Sequence, residues 1–285
     1  MKITPLAADS MGSRSMAVFV ETKDENILID PGAGIAPLRF GLSPHPLEQW
    51  QLQKHIDRIR LFAESSHAVL ISSYHSDHFL ASRPEWMRHK VLFLKNPNQN
   101  TTSNERKSAF HFLKTVKSIA RELHFADERS FTFGRTELLV SPPYCNGSGY
   151  FIQVLIRSEG KAFLFSSDAQ GFASDKTTEF MLRQKADILY LDGPITYLQK
   201  SAAKTDALVQ AMDRMRNIVS ETGARRVILD HHLMRDVHWK KHAEPFLEFG
   251  TERGVQIQTA AEYRGEETTL LEARRNQLYQ NQPQT

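Results

Sequence analysis

The segment His75-Ser76-Asp77-His78 constrains the fold of this chain more than any other part of the sequence. It comes shortly after the apolar run Ala68-Val69-Leu70-Ile71, which is typical of a buried strand. A strand that ends in such a loop can direct imidazoles and a carboxylate at one cation. The segment therefore predicts a metal-binding loop at the end of a strand. Ser73 stands two residues before His75, where a fuller cluster would carry a third histidine.

The size and composition of the chain predict one globular domain. Its 285 residues are 40% hydrophobic, and no internal repeat or clear linker divides them. We therefore expect a single domain over residues 1–280, followed by a short polar tail over residues 281–285. The single cysteine, Cys145, excludes an internal disulfide and fits a reducing compartment.

The start of the chain and its charge set the expectations for localisation and partners. Met1-Lys2-Ile3-Thr4-Pro5 lacks the apolar core of a signal peptide, and no apolar run approaches the roughly 20 residues that cross a bilayer. We expect a cytoplasmic protein without a membrane partner. The net charge of +3 permits an anionic partner without requiring one. A dedicated nucleic-acid-binding protein has little support, because the chain has no discrete basic domain, aromatic platform or zinc-finger spacing.

The strand and helix patterns predict an α/β fold with mixed sheets, because a run of strands gives way to strand–helix alternation. Predicted strands cover residues 16–20, 27–29, 68–71, 91–94, 137–140, 150–156, 162–165, 188–191, 227–229 and 255–257. Predicted helices cover residues 46–64, 178–184, 205–222 and 238–253, and Asn104 is expected to cap another. Ser158-Glu159-Gly160 predicts a hairpin turn.

Five polar segments share one position in this pattern, because each follows a predicted strand. Loops at one edge of a sheet stack can converge, as ligand sites in α/β proteins commonly do. The candidate ligands of the first four segments are Asp30, then His75, Asp77 and His78, then Asp168, and then His231 and His232. The fifth segment covers residues 141–147 and contains Asn146 beside Gly147, which permits close backbone approach.

The order of these motifs resembles the metallo-β-lactamase superfamily of hydrolases, and the resemblance spans most of the chain. The motifs are Asp30-Pro31-Gly32, Ser73-Tyr74-His75-Ser76-Asp77-His78, Asn146-Gly147, Ser167-Asp168 and His231-His232. More closely, the chain is similar to an uncharacterised, largely archaeal group of predicted hydrolases within that superfamily. The local similarities lie in residues 9–16, 192–194 and 230–236. The resemblance implies a four-layer αβ/βα sandwich with a metal site between two sheets.

The resemblance also implies a ligand set, taken residue by residue. His75, Asp77, His78 and Asp168 match the pattern, and one of His231 and His232 fills its last place. The choice between the last two stays open, with a slight preference for His231 from the residues that follow it. In the implied mechanism Asp77 orients a water or handles its proton, and His75 serves as general acid or base. Asp30 and Asp230 are expected to hydrogen-bond to the ligating imidazoles and hold them in one tautomer.

Two departures from the family pattern predict a reduced metal site. Ser73 and Asn146 replace two histidines that, in the family, serve the same metal position together with His75. A hydroxyl and an amide oxygen are poor substitutes for imidazole on zinc. The second position, served by Asp77 and His78, keeps its ligands. We expect one Zn²⁺ ion rather than two, with Mn²⁺ or Fe²⁺ as alternatives, or no ion.

The leading interpretation is a metal-dependent hydrolase that acts on an ester, phosphoester or nucleic-acid bond, with a small-molecule or nucleic-acid substrate. The alternative is a catalytically inactive protein of the same fold with a binding or scaffold role. Cys145 is interpreted as a small buried residue, or as a thiolate ligand in place of a missing histidine. Asp192-Gly193-Pro194 is interpreted as a turn, and Asp230 and Asp236 as partners of Arg235 or of the imidazoles.

Overall fold

The computed structural model describes residues 1–198 and 202–281. Of the predicted polar tail, residues 282–285 lie outside the described residues. The strands are β1 Lys2–Pro5, β2 Val18–Glu21, β3 Asn26–Ile29, β4 Ala68–Ile71, β5 Val91–Leu94, β6 Glu122–Phe125, β7 Ser130–Phe133, β8 Thr136–Val140, β9 Tyr144–Cys145, β10 Tyr150–Phe151, β11 Val154–Ser158, β12 Lys161–Phe165, β13 Ile188–Asp192, β14 Arg226–Asp230 and β15 Gln256–Gln258. The α-helices are α1 Pro46–Ser65, α2 Ser103–Ile119, α3 Glu179–Leu182, α4 Ala202–Thr222, α5 Trp239–Arg253, α6 Ala260–Tyr263 and α7 Arg275–Gln280.

Two large sheets contain most of these strands. The first has the order β1-β2-β3-β4-β5-β6, and β3 to β6 run parallel in it. The second has the order β15-β14-β13-β12-β11-β8-β7, and β12 to β15 run parallel in it. Strands β9 and β10 form a separate two-stranded ribbon. The carboxyl ends of the parallel strands supply the loops that carry the candidate ligands.

The sheets pack face to face, and helices cover both outer faces. Alternate residues of β4 show the arrangement: Ala68 and Leu70 pack between the two sheets, whereas Val69 and Ile71 face α1 and α2. Helices α3, α4 and α5 cover the second sheet. Strands that are buried on both faces read as continuous apolar runs, which explains the sequence of β4. The four layers are those expected of an αβ/βα sandwich.

The predicted strand over residues 150–156 is wrong as a single element. Residues Tyr150–Phe151 belong to the ribbon, and Val154–Ser158 belongs to the second sheet. Between them, the Ile152 amide donates to the Ser72 carbonyl just after β4, and Gln153 Nε2 donates to the Thr177 carbonyl. These long-range bonds divide the strand, and they cannot be inferred from a continuous β-prone run.

The start of α2 differs from the prediction by two residues. Thr102 caps this helix: its hydroxyl accepts from the Glu105 amide, and the Glu105 carboxylate accepts from the Thr102 amide. Asn104 lies inside the helix, so its predicted capping role is wrong. The predicted hairpin turn is confirmed, because Glu159 and Gly160 both have positive φ between β11 and β12.

None of the helices in the described ranges combines the length and apolar character that a membrane span requires.

Candidate metal centre

The candidate site forms where the carboxyl ends of strands from both sheets meet. Asp30 follows β3 and the loop of His75 follows β4, both in the first sheet. Asp168 follows β12 and His231 follows β14, both in the second sheet. The two sets touch, because His75 Nδ1 lies 2.7 Å from Asp168 Oδ2 and His231 Nε2 lies 3.8 Å from Asp77 Oδ2. Side chains separated by up to 201 residues, from Asp30 to His231, thus surround one hollow.

The backbone at these strand ends is unusual. Asp30, Ser167 and His231 have φ values of 47°, 54° and 67°, a left-handed conformation that residues other than glycine rarely adopt. Such backbone persists only where the surrounding structure enforces it, and it is concentrated at functional sites. Here it turns the chain sharply at the end of a strand and places the next side chains over the hollow.

His78 is fully buried and is oriented by Asp30. Its Nδ1 donates to Asp30 Oδ2 at 2.7 Å, and Asp30 Oδ1 is fixed by the Ser72 amide at 2.7 Å. Burial lowers the pKa of His78, but the Asp30 carboxylate outweighs it and raises the pKa to about 10. The other ring nitrogen, Nε2, is buried and has no hydrogen-bond partner among the described residues. Such an atom is rare unless it has a function.

His231 is oriented in the same way by a residue near the start of the chain. Its Nδ1 donates to Asp9 Oδ2 at 2.8 Å, which leaves Nε2 directed toward Asp77. Burial would raise the pKa of Asp9, but the charges of Arg235 and His231 lower it to about 2. Asp9 is therefore a carboxylate at neutral pH and holds one tautomer of the imidazole.

Asp77, His78 and His231 form a three-donor group whose ligand atoms all lie within 4.8 Å of one another. Donors at about 2.0–2.2 Å from a shared ion are separated by at most roughly 4.4 Å. The 3.8 Å between Asp77 and His231 meets that requirement. Burial raises the pKa of Asp77, but His78, His231 and Arg235 outweigh it and hold the pKa below its usual range. These residues therefore fit a divalent ion.

A second group joins His231 and His232 to two carboxylates, those of Asp168 and Asp192. His232 Nδ1 lies 3.0 Å from both Asp192 oxygens and 3.8 Å from Asp168 Oδ1. The interpretation of Asp192 as only a turn residue is wrong, because its carboxylate orients an imidazole. Of the two neighbouring histidines, the structure places only His231 with Asp77 and His78.

His75 lies across the hollow and is bound to Asp168. The Nδ1–Oδ2 hydrogen bond raises the pKa of His75, although burial opposes it. Its side chain is 30% exposed, the highest value among the four clustered histidines. A Cβ added at Gly149 would lie 2.6 Å from His75 Nε2, so the glycine gives the ring its space.

Ser73 and Asn146, the two altered family positions, are held by local backbone contacts. Ser73 is fully buried and pairs with Phe151 through an isolated bridge. The Asn146 side-chain oxygen accepts from the Ser148 and Gly149 amides, and its nitrogen donates to the Asp168 carbonyl. The amide group therefore closes its own turn.

Cys145 is exposed, so its interpretation as a buried residue is wrong. No described cysteine belongs to either donor group, and Gly147 N donates to the Cys145 sulfur at 3.4 Å.

The expected pairing of Asp230 and Asp236 with Arg235 or with the site imidazoles is wrong, because other carboxylates take those partners. Arg235 pairs with Asp9 and Asp77, His231 with Asp9, and His232 with Asp192. The Asp230 carboxylate accepts from three backbone amides, those of Ser10, His231 and Ala260, and Asp236 accepts from Thr196 and His238 and lies 3.3 Å from His242. Asp230 thus supports His231 through its backbone rather than through the imidazole. The Arg235 side chain instead donates to Asp9 and Asp77.

Sequence reasoning missed Asp9, Asp192 and Arg235 as residues of the site. Asp192 ends β13, so the rule that selected the other strand ends also applied to it. Asp9 lies 222 residues before its partner His231, and no local pattern connects the two.

The hollow opens into a cleft of about 290 Å³. Its walls include His75, Asp77, Asp168, His232, Arg14 and Arg235. Charged and polar side chains dominate this lining, which includes Asp77 of the three-donor group, whereas His78 and His231 are buried behind it. A polar substrate group can therefore reach the candidate metal centre from solvent.

The sequence comparisons identify archaeal relatives over nearly the full chain. A UPF0282 protein from Korarchaeum cryptofilum is 38% identical over 99% of this chain and 96% of its own length. Another from Methanocaldococcus jannaschii is 36% identical over 98% of this chain and 97% of its own length. A scan against protein-family models found no match.

Solved structures with similar architecture show the fold. The metallo-β-lactamase fold protein YhfI from Bacillus subtilis superposes with a TM-score of 0.56 at 15% identity, over 90% of this chain and 95% of that one. An isothiocyanate hydrolase from Delia radicum gut bacteria gives a TM-score of 0.53 at 15% identity, over 91% and 95%. This chain therefore has the metallo-β-lactamase fold, as its motif order indicated.

Proposed function

Because the chain belongs to the UPF0282 family and has the metallo-β-lactamase fold, we propose that it is a metal-dependent hydrolase with a single divalent ion. The observation that carries the proposal is the buried, unpartnered Nε2 of His78 beside Asp77 and His231. A buried ring nitrogen without a partner costs free energy unless something binds it. Metal ligation uses that nitrogen, and Asp30 on Nδ1 provides the support that such ligands usually have.

The donor set favours zinc over the hard cations. Two imidazoles and a carboxylate suit Zn²⁺, and Mn²⁺ or Fe²⁺ can bind similar donors. Asp168, which follows β12 and lies in the donor group that shares His231, would be the fourth donor in this proposal. A bound divalent ion would supply Lewis-acid polarisation and would lower the pKa of water from about 15.7 toward roughly 7.

The protein's own residues supply orientation and proton handling. Asp30 and Asp9 keep His78 and His231 in the tautomer that presents Nε2. Asp77 is held as a carboxylate and can orient a water at the cleft floor. His75 reaches the cleft, and its raised pKa suits a proton donor to a leaving group.

The substrate in this proposal carries an ester, phosphoester or nucleic-acid bond. The cleft walls favour a polar or anionic group, because the Arg14 and Arg235 guanidiniums both line them. An ester and a phosphoester differ in charge, so a substrate panel separates them directly.

A second candidate function, binding without catalysis, has one observation in its favour. The Arg235 guanidinium lies 3.2 Å from Asp77 Oδ2 and 3.3 Å from His231 Nε2, so it offsets the carboxylate's charge without an ion. In that case the fold would serve as a binding or scaffold protein.

Metal analysis tests the two candidates. Protein purified without chelator should contain about one equivalent of metal, and Asp77→Ala or His78→Ala should lose it because each removes a donor. The exposed His111→Ala is the matched control and should keep the metal. The purified protein should also hydrolyse one member of a panel of esters, phosphomonoesters and phosphodiesters. Absence of both metal and hydrolysis after adding zinc, manganese or iron would favour the binding role.

A further inference from the structure

Arg235 occupies an unusual place for a cation in a metal-binding site. It lies at the end of the short 3₁₀ helix His231–Arg235 that follows β14, and it is 4% exposed. Its Nε donates to Asp9 Oδ1 at 2.7 Å, and its Nη2 donates to Asp77 Oδ2 at 3.2 Å. The same Nη2 lies 3.3 Å from His231 Nε2. One nitrogen of the guanidinium therefore faces two of the three proposed metal donors.

The guanidinium lies beside the same two side chains that a metal ion would bind. An arginine side chain has only donors and keeps its charge at all ordinary pH values, so it cannot itself be a ligand. His231 donates through Nδ1 to Asp9, which leaves the lone pair on its Nε2 for an ion. Arg235 Nη2 lies over the same ring, 3.4 Å from Nδ1 and 3.3 Å from Nε2. An ion bound between Asp77 and His231 would use this lone pair and the Asp77 oxygen. Because Nη2 is 3.2 Å from one of these atoms and 3.3 Å from the other, the ion would lie close to the guanidinium charge, and the two like charges would repel each other.

We propose that Arg235 is a built-in competitor of the metal ion for Asp77 and His231, and that it thereby sets the metal affinity of the site. The proposal rests on the proposed metal-binding function. Loading requires that Nη2 withdraw from Asp77, and the like charges of the arginine and the ion oppose each other at close range. The bond from Nε to Asp9 uses none of the metal donors, so the arginine stays anchored while Nη2 withdraws.

The surrounding charges support competition rather than simple burial of an ion pair. Arg235 faces Asp9 and Asp77 directly, and Glu272 attracts it from further away. Without the guanidinium, the largely buried Asp77 carboxylate would lose a cation that donates a hydrogen bond to it. In the metal-free site the arginine thus balances the negative charge of Asp9 and Asp77, a role that a bound ion would share.

Charge-neutral variants test the competition. Arg235→Gln and the similarly sized Arg235→Met remove the competing cation and should bind Zn²⁺ at least about tenfold more tightly, about 1.4 kcal/mol. Arg235→Lys keeps the charge and should stay close to the parent. The measurement is competition with a chromophoric zinc chelator, using the metal alone as the probe. Either neutral variant suffices if the other does not fold.

Thermal unfolding provides a second readout that needs no hydrolysis. Metal-free Arg235→Gln should melt below the parent, because Asp9 and Asp77 lose their partner. Its melting temperature should rise more on adding zinc, since tighter binding stabilises more. The matched control is Arg275→Gln, which removes an equally buried arginine paired with Glu48, outside both donor groups. That control should melt lower without a change in zinc affinity.

The results separate this inference from the proposed function. One equivalent of metal and hydrolysis in the parent, with unchanged or weaker zinc binding in Arg235→Gln and Arg235→Met, overturns the inference and leaves the hydrolase intact. The inference is also supported if the parent binds no metal while the neutral variants bind it. No zinc binding in the parent or in the neutral variants overturns it, because the arginine is then not what limits binding.

Discussion

At the scale of single residues, one arrangement recurs through the site. Each of the four clustered histidines has a carboxylate on its Nδ1: His75 with Asp168, His78 with Asp30, His231 with Asp9, and His232 with Asp192. The sequence analysis named all four histidines as site residues, but only two of the four carboxylates, Asp30 and Asp168. A histidine next to a strand is visible in the sequence, whereas its partner is chosen by the fold.

Replacing Asp30 tests the value of this orientation. Asp30→Asn keeps the shape but removes the charge that holds His78 through Nδ1. Loss of such a supporting carboxylate typically weakens metal affinity by about 10–100-fold. Zinc competition titration measures the effect, and Asp187→Asn, whose carboxylate accepts from the Ala162 amide outside both donor groups, is the control. Equal affinity in Asp30→Asn and the parent would show that His78 is not a ligand.

A buried histidine outside the metal centre gives a pH prediction. Burial in α1 lowers the pKa of His55 from 6.5 to about 3, and Gln51 Nε2 lies 2.9 Å from its Nε2. In the folded protein the ring stays neutral between these values, whereas the unfolded chain binds a proton. The folded state should therefore lose about 1.4 kcal/mol of stability for each pH unit below 6.5 from this residue, until about pH 3.

Urea unfolding between pH 7 and pH 4 measures this dependence. His55→Asn cannot titrate, so its free energy of unfolding should fall less steeply as the pH decreases. The exposed His111→Asn serves as the control. If the free energy of unfolding falls equally steeply with decreasing pH in His55→Asn and the parent, the lowered pKa of His55 is wrong.

At the scale of elements, the sequence predicted the bounds of those helices and strands that are set by residues close together in the chain. Helix α1 begins at Pro46 as expected, because His45 and Glu48 form a capping box around it. Strand β5 has its predicted bounds, since an apolar run with clear breaks admits few alternatives. The split between β10 and β11 was missed, because bonds to Ser72 and Thr177 decide it. Those partners are distant in sequence.

The altered family positions give a prediction about the loop after β9. Ser73→His combined with Asn146→His should raise the metal content from about one toward two, because the pair restores two imidazoles beside His75. The cost is the turn that Asn146 closes through Ser148 and Gly149, so a lower melting temperature is expected as well. Metal analysis by mass spectrometry checks the count.

Ser76→His controls for the mere presence of another imidazole near the cleft. It should leave the metal content unchanged. A double variant with no more metal than the parent would mean that residues 73 and 146 do not mark the emptied position.

At the scale of the whole molecule, largely buried ion pairs join residues 272–275 to residues in the first fifty positions of the chain. Arg275 in α7 makes a fully buried pair with Glu48 in α1, with contacts of 2.7 and 2.8 Å. Arg14 pairs in the same way with Glu272. The motif order predicted the four layers of the sandwich, but it gave no sign of these closing contacts. They join residues more than 220 positions apart.

Breaking the buried pair should be costly. Glu48→Gln leaves the Arg275 charge buried without a counter-charge, and we expect a loss of about 3–5 kcal/mol in the free energy of unfolding. Glu48→Gln with Arg275→Met removes both charges and should recover part of that loss. Guanidinium chloride unfolding measures both variants. A single variant as stable as the parent would show that the pair contributes little.

The placement of the metal donors on both sheets has a consequence for cooperativity. Asp77 and His78 follow a strand of one sheet, and His231 follows a strand of the other. An ion held by all three would act as a crosslink between the two halves of the sandwich. Amide hydrogen exchange in β4 and β14 should then slow together when the metal binds, because the ion links the opening of one sheet to that of the other.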